Sequence, residues 1–139
     1  MEYEKKQNSP KLNILVAEDE EYNFLLISEI LKGYNINIIR AYNGKMALEH
    51  CTNNPNIDIV LMDISMPVMD GLEATKRVKS VRPELPVIIQ TSYTGFSDKS
   101  IAFEAGCDGF LPKPFNREVL INTVETHKPA GSIFSKEQI

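Results

Sequence analysis

The feature that most constrains this chain is a set of short aliphatic runs that each stop at a polar side chain. Leu12-Asn13-Ile14-Leu15-Val16-Ala17 breaks off at Glu18-Asp19-Glu20-Glu21, and Ile57-Asp58-Ile59-Val60-Leu61-Met62 stops at Asp63. Val87-Ile88-Ile89-Gln90 stops at Thr91, and Gly109-Phe110-Leu111 leads to Lys113. Runs of this length, dominated by aliphatic side chains, read as strands covered on both faces. Ile36 to Arg40 reads as a further strand, and it alone ends without an obvious reactive group.

Helical patterns fill the gaps. Phe24, Ile27, Ile30 and Leu31 recur at helical spacing, and Gly33 supplies a stop. Asn43-Gly44 turns into a helix of about two turns around Met46, Ala47 and Leu48. A loop with Pro67 and Gly71 leads to a helix through Ala74, Thr75 and Val78. Ser97 is expected to cap a helix that ends at Gly106, and Asn116 to cap one from Arg117 to His127. Strands alternating with helices predict a parallel sheet with helices on both faces. Right-handed crossovers then favour a flavodoxin-like doubly wound α/β fold, a (βα)5 unit with strand order 2-1-3-4-5.

At 139 residues one domain is expected. Residues 1–10 read as a flexible lead-in, 11–127 as the folded domain, and 128–139 as a linker or tail. A net charge of -4 gives no reason to expect nucleic acid or an anionic membrane as partner. No stretch approaches the roughly 20 apolar residues that span a bilayer, and the polar start lacks the apolar segment of a secretory signal. Cys51 and Cys107 match no metal-binding spacing, so two free thiols in a cytoplasmic protein are expected.

In a doubly wound sheet, ligands bind beyond the carboxyl ends of the strands, where strand order reverses. That rule brings Glu18, Asp19 and Asp63 into one crevice, with Thr91 and Lys113 beside them. Clustered carboxylates repel and must be neutralised by protonation, by basic groups or by a metal; a hard divalent ion such as Mg²⁺ is the natural answer, and Lys113 can neutralise part of the rest. With its charge screened, Asp63 could attack a phosphoryl donor and form an aspartyl phosphate, to whose oxygens Thr91 offers a hydroxyl.

Read singly, each residue has a plainer account. Asp63 could simply end a strand, and Glu18-Asp19 could cap the following helix or complement its dipole. Lys113 alone would be a solvated surface lysine, and Asp70-Gly71 a turn. Met66 and Met69 fill apolar gaps in a loop, and His50 and His127 show no metal-like or phosphotransfer spacing. Convergence of several strand ends on one crevice is what favours the reactive reading of Asp63.

The elements Ile14-Leu15-Val16-Ala17-Glu18-Asp19, Met62-Asp63-Ile64-Ser65-Met66-Pro67-Val68-Met69-Asp70-Gly71, Thr91-Ser92 and Lys113-Pro114 also carry a family resemblance. In that order, each at a strand end, they make residues 11–127 resemble a receiver domain of the two-component response regulators. The resemblance implies Glu18 and Asp19 as the acids that hold Mg²⁺, Asp63 as phosphoacceptor and the Ser65 backbone carbonyl as a further metal ligand. It implies Thr91 and Phe110 as switch residues, Lys113 as the phosphoryl contact, and a cis peptide before Pro114. Glu18 stands where Asp is frequent and Phe110 where Tyr is frequent, so a switch state built on a tyrosine hydroxyl is not expected. Ser65 and Tyr93 occupy positions that tune phosphoryl lifetime.

The resemblance further implies a histidine kinase or histidine phosphotransfer protein as donor, and a downstream effector that reads a switched surface. A phosphorylation-dependent dimer is another implied partner. Glu20-Glu21-Tyr22-Asn23, with the long Met-Pro-Val-Met-Asp-Gly match, looks most like receivers attached to hybrid histidine kinases; a stand-alone regulator is the alternative. A phosphatase with an aspartyl nucleophile would need an acid where Ser65 stands. A receiver-like module that no longer accepts phosphate conflicts with the intact acid set. A flavodoxin-type cofactor binder would need a phosphate cradle where the acids of the first strand lie.

Overall fold

The computed structural model describes residues 10–92 and 96–137. Five strands, β1 (Leu12–Ala17), β2 (Ile36–Ala41), β3 (Ile59–Asp63), β4 (Val87–Thr91) and β5 (Gly109–Pro112), form one parallel sheet in the order 2-1-3-4-5. Between and after them run α1 (Glu21–Leu31), α2 (Gly44–Asn53), α3 (Gly71–Val81), α4 (Phe96–Glu104) and α5 (Arg117–His127). This is the flavodoxin-like doubly wound architecture that the aliphatic runs predict.

Strand alternation assigns the helices to their layers. Ile14 and Val16 of β1, Ile59 and Leu61 of β3, Ile88 and Leu111 pack with Ile27 and Leu31 of α1 and Leu120 and Val124 of α5. Their neighbours Leu15, Ala17, Val60, Met62 and Val87 face the other way, onto Ala47 and Cys51 of α2 and Ala74 and Val78 of α3. Ile89 meets Ala102 of α4 on that same side. Both faces are therefore dry, and each fully buried aliphatic side chain contributes roughly 1.5–3 kcal/mol of transfer free energy. No helix among the described residues is long and apolar enough to cross a membrane.

The caps explain the helix boundaries. Side-chain oxygens of Asn43, Asp70 and Asn116 accept from the N–H groups of Met46, Glu73 and Val119, starting α2, α3 and α5. Gly33 and Gly106, just beyond α1 and α4, take positive φ values of 88° and 102° that favour glycine.

Some expected boundaries move. α2 runs for 10 residues rather than two turns; its buried face is Gly44, Ala47 and Cys51, small residues that leave little apolar periodicity to read. β3 begins at Ile59, because the Asp58 side chain turns back to accept from the Asn13 N–H at 2.8 Å. Ser97 is the second residue of α4 rather than its cap. Its side chain, Tyr93 and most of the 1–10 lead-in lie outside the described residues.

Residues 133–137, read from sequence as part of a linker or tail, return to the sheet. Phe134 is buried and stacks on Tyr34 at 4.6 Å between ring centroids, while Lys136 bridges to Tyr34. The Asn35 amide donates to the Ile133 carbonyl at 2.7 Å and its oxygen accepts from the Ser135 N–H at 2.7 Å. This fastening sits at the turn between α1 and β2.

Candidate metal and phosphoryl-transfer site

The strand ends deliver their side chains to one crevice. Glu18 follows β1, Asp63 closes β3, Thr91 closes β4 and Lys113 follows β5. One carboxylate oxygen from each of Glu18, Asp19 and Asp63 lies within 4.8 Å of the others. Glu18 and Asp63 are buried, whereas Asp19 is exposed. The Lys113 ammonium reaches both buried acids, at 3.2 Å from Glu18 Oε1 and 3.3 Å from Asp63 Oδ1.

Three acids against one lysine leave the crevice electron-rich. Burial, then the neighbouring Asp63 charge and a hydrogen bond with Asp63, push Glu18 from 4.5 up to about 7. Lys113 and the Glu20 N–H pull the other way but do not prevail. A carboxyl group held this far up by burial and a neighbouring acid fits a site suited to a cation. The donor set is entirely oxygen, as a hard divalent ion prefers. Capping does not account for the acid pair: the cap of α1 is Glu20, and its side chain makes no cap hydrogen bond.

Local backbone geometry holds Asp63 in place. The Gly71 N–H donates to the Ile64 carbonyl at 2.9 Å, and a Cβ at Gly71 would overlap the Asp63 carbonyl oxygen. Asp70-Gly71 is thus more than a turn signal; this close approach sets the path of the loop after β3. Gly44 packs equally tightly on the Met69 carbonyl and donates to it at 2.9 Å. Between these anchors the Met69 N–H folds back to the Pro67 carbonyl at 2.7 Å, and Val68 takes a φ of 71°. The loop borders a groove of about 510 Å³ lined by Asp19, Ile64, Ser65, Pro67 and Asp70 among others.

The remaining expected residues are nearby in the fold. Thr91 is buried, and its carbonyl accepts from the Lys113 N–H at 2.8 Å. Phe110 is half-buried on β5 and packs against the cluster of Ile89, Ala102 and Cys107. Ser65 is exposed on the groove. The peptide between Lys113 and Pro114 is cis. His50 and His127 are not part of the acid cluster. Cys51 and Cys107 are free, buried thiols, each pushed up to about 11, chiefly by burial.

The strand end read as lacking an obvious reactive group nevertheless contacts the acid-bearing segment. Arg40, near the end of β2, places its guanidinium on the Glu18 carbonyl and the Glu21 carboxylate. A bond from a side chain to a distant backbone carbonyl has no periodic signature in sequence, although an arginine closing a buried-type strand was visible.

The doubly wound sheet thus carries a triad of acids and a lysine at its switch point. The family model described as the response regulator receiver domain matches residues 14–125. This chain belongs to that family and is a receiver domain of two-component signalling.

Its relatives include a hybrid histidine kinase and a response regulator. It is 36% identical over 121 residues to hybrid signal transduction histidine kinase I of Dictyostelium discoideum, covering 81% of this chain and 7% of that protein. It is 37% identical over 103 residues to response regulator GtcR of Aneurinibacillus migulanus, covering 74% of this chain and 42% of that protein. The chain therefore spans less than half the length of these curated relatives. Among solved structures, it is 26% identical to the receiver domain of sensor histidine kinase PA1611 from Pseudomonas aeruginosa PAO1. The TM-score is 0.78 over 84% of this chain and 97% of that one, and that structure has a magnesium ion coordinated in its active-site cleft.

Proposed function

We propose that this receiver accepts a phosphoryl group on Asp63 in a Mg²⁺-dependent transfer from a phosphohistidine of a histidine kinase or histidine phosphotransfer protein. The observation that carries this reading is the meeting of the Glu18, Asp19 and Asp63 carboxylates, with Lys113 bridging two of them. The carboxylates of Glu18, Asp19 and Asp63 and the Ser65 carbonyl would hold the ion. When bound, Mg²⁺ would screen the charge between an anionic donor and an anionic acceptor.

An Asp63 carboxylate oxygen forms the new bond to phosphorus as the phosphorus–nitrogen bond of the donor breaks. The departing electron pair stays on the imidazole, which ends as neutral histidine after proton exchange with solvent. Lys113 exchanges its contact with Asp63 for the incoming phosphoryl oxygens, and the Thr91 hydroxyl donates to them. Thr91 and Phe110 then shift together and alter the surface of α4, β5 and α5, where an effector or a second phosphorylated copy docks. The domain is a phosphoacceptor that turns over no separate substrate.

The receiver unit runs over 11–127, with 1–10 as a lead-in and 128–139 as a tail, of which residues 133–137 pack back onto the domain. It works in the cytoplasm, as a segment of a hybrid kinase or as a stand-alone regulator; the relatives include both kinds of protein. Intact-protein mass spectrometry after incubation with acetyl phosphate and Mg²⁺ tests the transfer. One added phosphate is expected, absent without the metal and absent in Asp63→Asn; equal modification of Asp63→Asn would contradict the assignment.

A further inference from the structure

The proposed transfer makes no use of Arg40, yet its surroundings are more ordered than a surface arginine requires. Strand alternation puts Arg40 on the α1 side of β2, where its side chain is only 11% exposed. The guanidinium carbon lies 4.2 Å from the ring centre of Phe24 and 4.2 Å from that of Tyr42. Two aromatic faces hold the plane of the fork and favour its charge.

From that position the fork makes directed contacts. Nε and Nη2 donate to the Glu18 carbonyl at 3.3 and 3.1 Å. Nη1 donates to Glu21 Oε1 at 2.6 Å. The Glu18 N–H donates to the Ala41 carbonyl at 3.0 Å. Glu18 is thus fastened at both its N–H and its carbonyl to the end of β2. The carbonyl that Arg40 grips belongs to the peptide joining Glu18 to Asp19. Glu21 meanwhile neutralises the guanidinium, which limits its repulsion of a cation in the crevice.

We propose that Arg40 is a positioning residue that sets the Glu18–Asp19 peptide so that both acids can face one divalent cation. The inference rests on the Mg²⁺ reading given above. Groups that orient metal ligands without touching the metal commonly change affinity by about 10–100-fold when removed. Lysine would keep the charge but lose the planar fork that reaches the carbonyl and Glu21 together.

The test uses the full chain as wild type, Arg40→Met and Arg40→Lys, with MgCl₂ titrated by calorimetry. Wild type is expected to bind, Arg40→Met about tenfold more weakly, and Arg40→Lys to fall between them. Saturating Mg²⁺ should restore the maximal rate of phosphorylation by acetyl phosphate. In the metal-free proteins, amide hydrogen exchange over residues 17–21 should be faster in Arg40→Met. A merely structural buttress would lower the melting temperature while leaving the Mg²⁺ dissociation constant unchanged, and that result overturns the inference. Tighter Mg²⁺ binding in Arg40→Met also overturns it, because Arg40 would then act only as a repelling charge. Failure of wild type itself to bind Mg²⁺ would instead remove the metal reading, and this role with it.

Discussion

The Lys113 ammonium lies 3.2 Å from Glu18 Oε1 and 3.3 Å from Asp63 Oδ1, bridging acids that follow β1 and close β3. It is the cation these two buried acids share, so it opposes their repulsion in the metal-free protein. It also stands where new phosphoryl oxygens would have to be received on Asp63. The same ammonium can serve before and after transfer by exchanging one set of anionic oxygens for another.

Lys113→Met should therefore separate binding from chemistry. Removing a charged donor aimed at developing negative charge is expected to slow phosphorylation roughly 100-fold. Affinity for Mg²⁺ should not weaken, because a competing cation has been taken away. Metal titration alongside phosphorylation kinetics checks both halves.

The raised Glu18 makes a prediction with a definite sign. Its carboxyl is pushed from 4.5 to about 7 in the metal-free fold, so the folded protein holds this proton more tightly than the unfolded chain. That contribution to stability is fully present below the ordinary carboxylate value and lost as pH rises through about 7. Metal-free stability should fall across this window, and Glu18→Gln should flatten the profile. Metal binding must expel the proton, so Mg²⁺ affinity should be about tenfold weaker at pH 6 than at pH 8. Urea denaturation and calorimetry over pH read the two effects.

The strands were legible because burial on both faces leaves aliphatic runs that little else produces. β1 and β4 begin where the sequence indicates, and α5 matches at both ends. The acids and Lys113 were legible because strand order brings strand ends together even when they are far apart in sequence. α2 was shortened because its packing face is made of Gly44, Ala47 and Cys51, where small size rather than hydrophobicity permits close approach. Arg40 was missed because its contacts run to a backbone carbonyl, and Phe134 because one aromatic after a Lys-Pro-Ala-Gly break has no periodicity. Gly71 was visible only as a turn; its clearance from the Asp63 carbonyl exists only in three dimensions.

Gly71→Ala tests that clearance. The added methyl group would meet backbone at Asp63 and Ile64 rather than a yielding side chain. A loss of about 3 kcal/mol is expected by urea denaturation, with the path of the Asp63 loop disturbed. Gly33→Ala meets no atom and carries only the strain of a positive φ of 88°, so about 1 kcal/mol is expected there.

The returning segment should matter to stability although it lies at the turn between α1 and β2. Phe134 is 8% exposed and packs with Tyr34 and the α1–α5 side of the core. Phe134→Ala should cost about 2–4 kcal/mol in denaturant unfolding. Asp63 phosphorylation at saturating Mg²⁺ should persist at a temperature where the variant remains folded.

The acid that closes β3, Asp63, is the expected destination of the phosphoryl group. Sodium borohydride reduces an acyl phosphate on aspartate to homoserine, leaving a stable mark that peptide mass spectrometry can locate. After phosphorylation with Mg²⁺ and reduction, homoserine is predicted at position 63 and at no other acid, with none formed when Mg²⁺ is withheld. Homoserine at Glu18's neighbour Asp19, at any other aspartate, or at none would contradict the account.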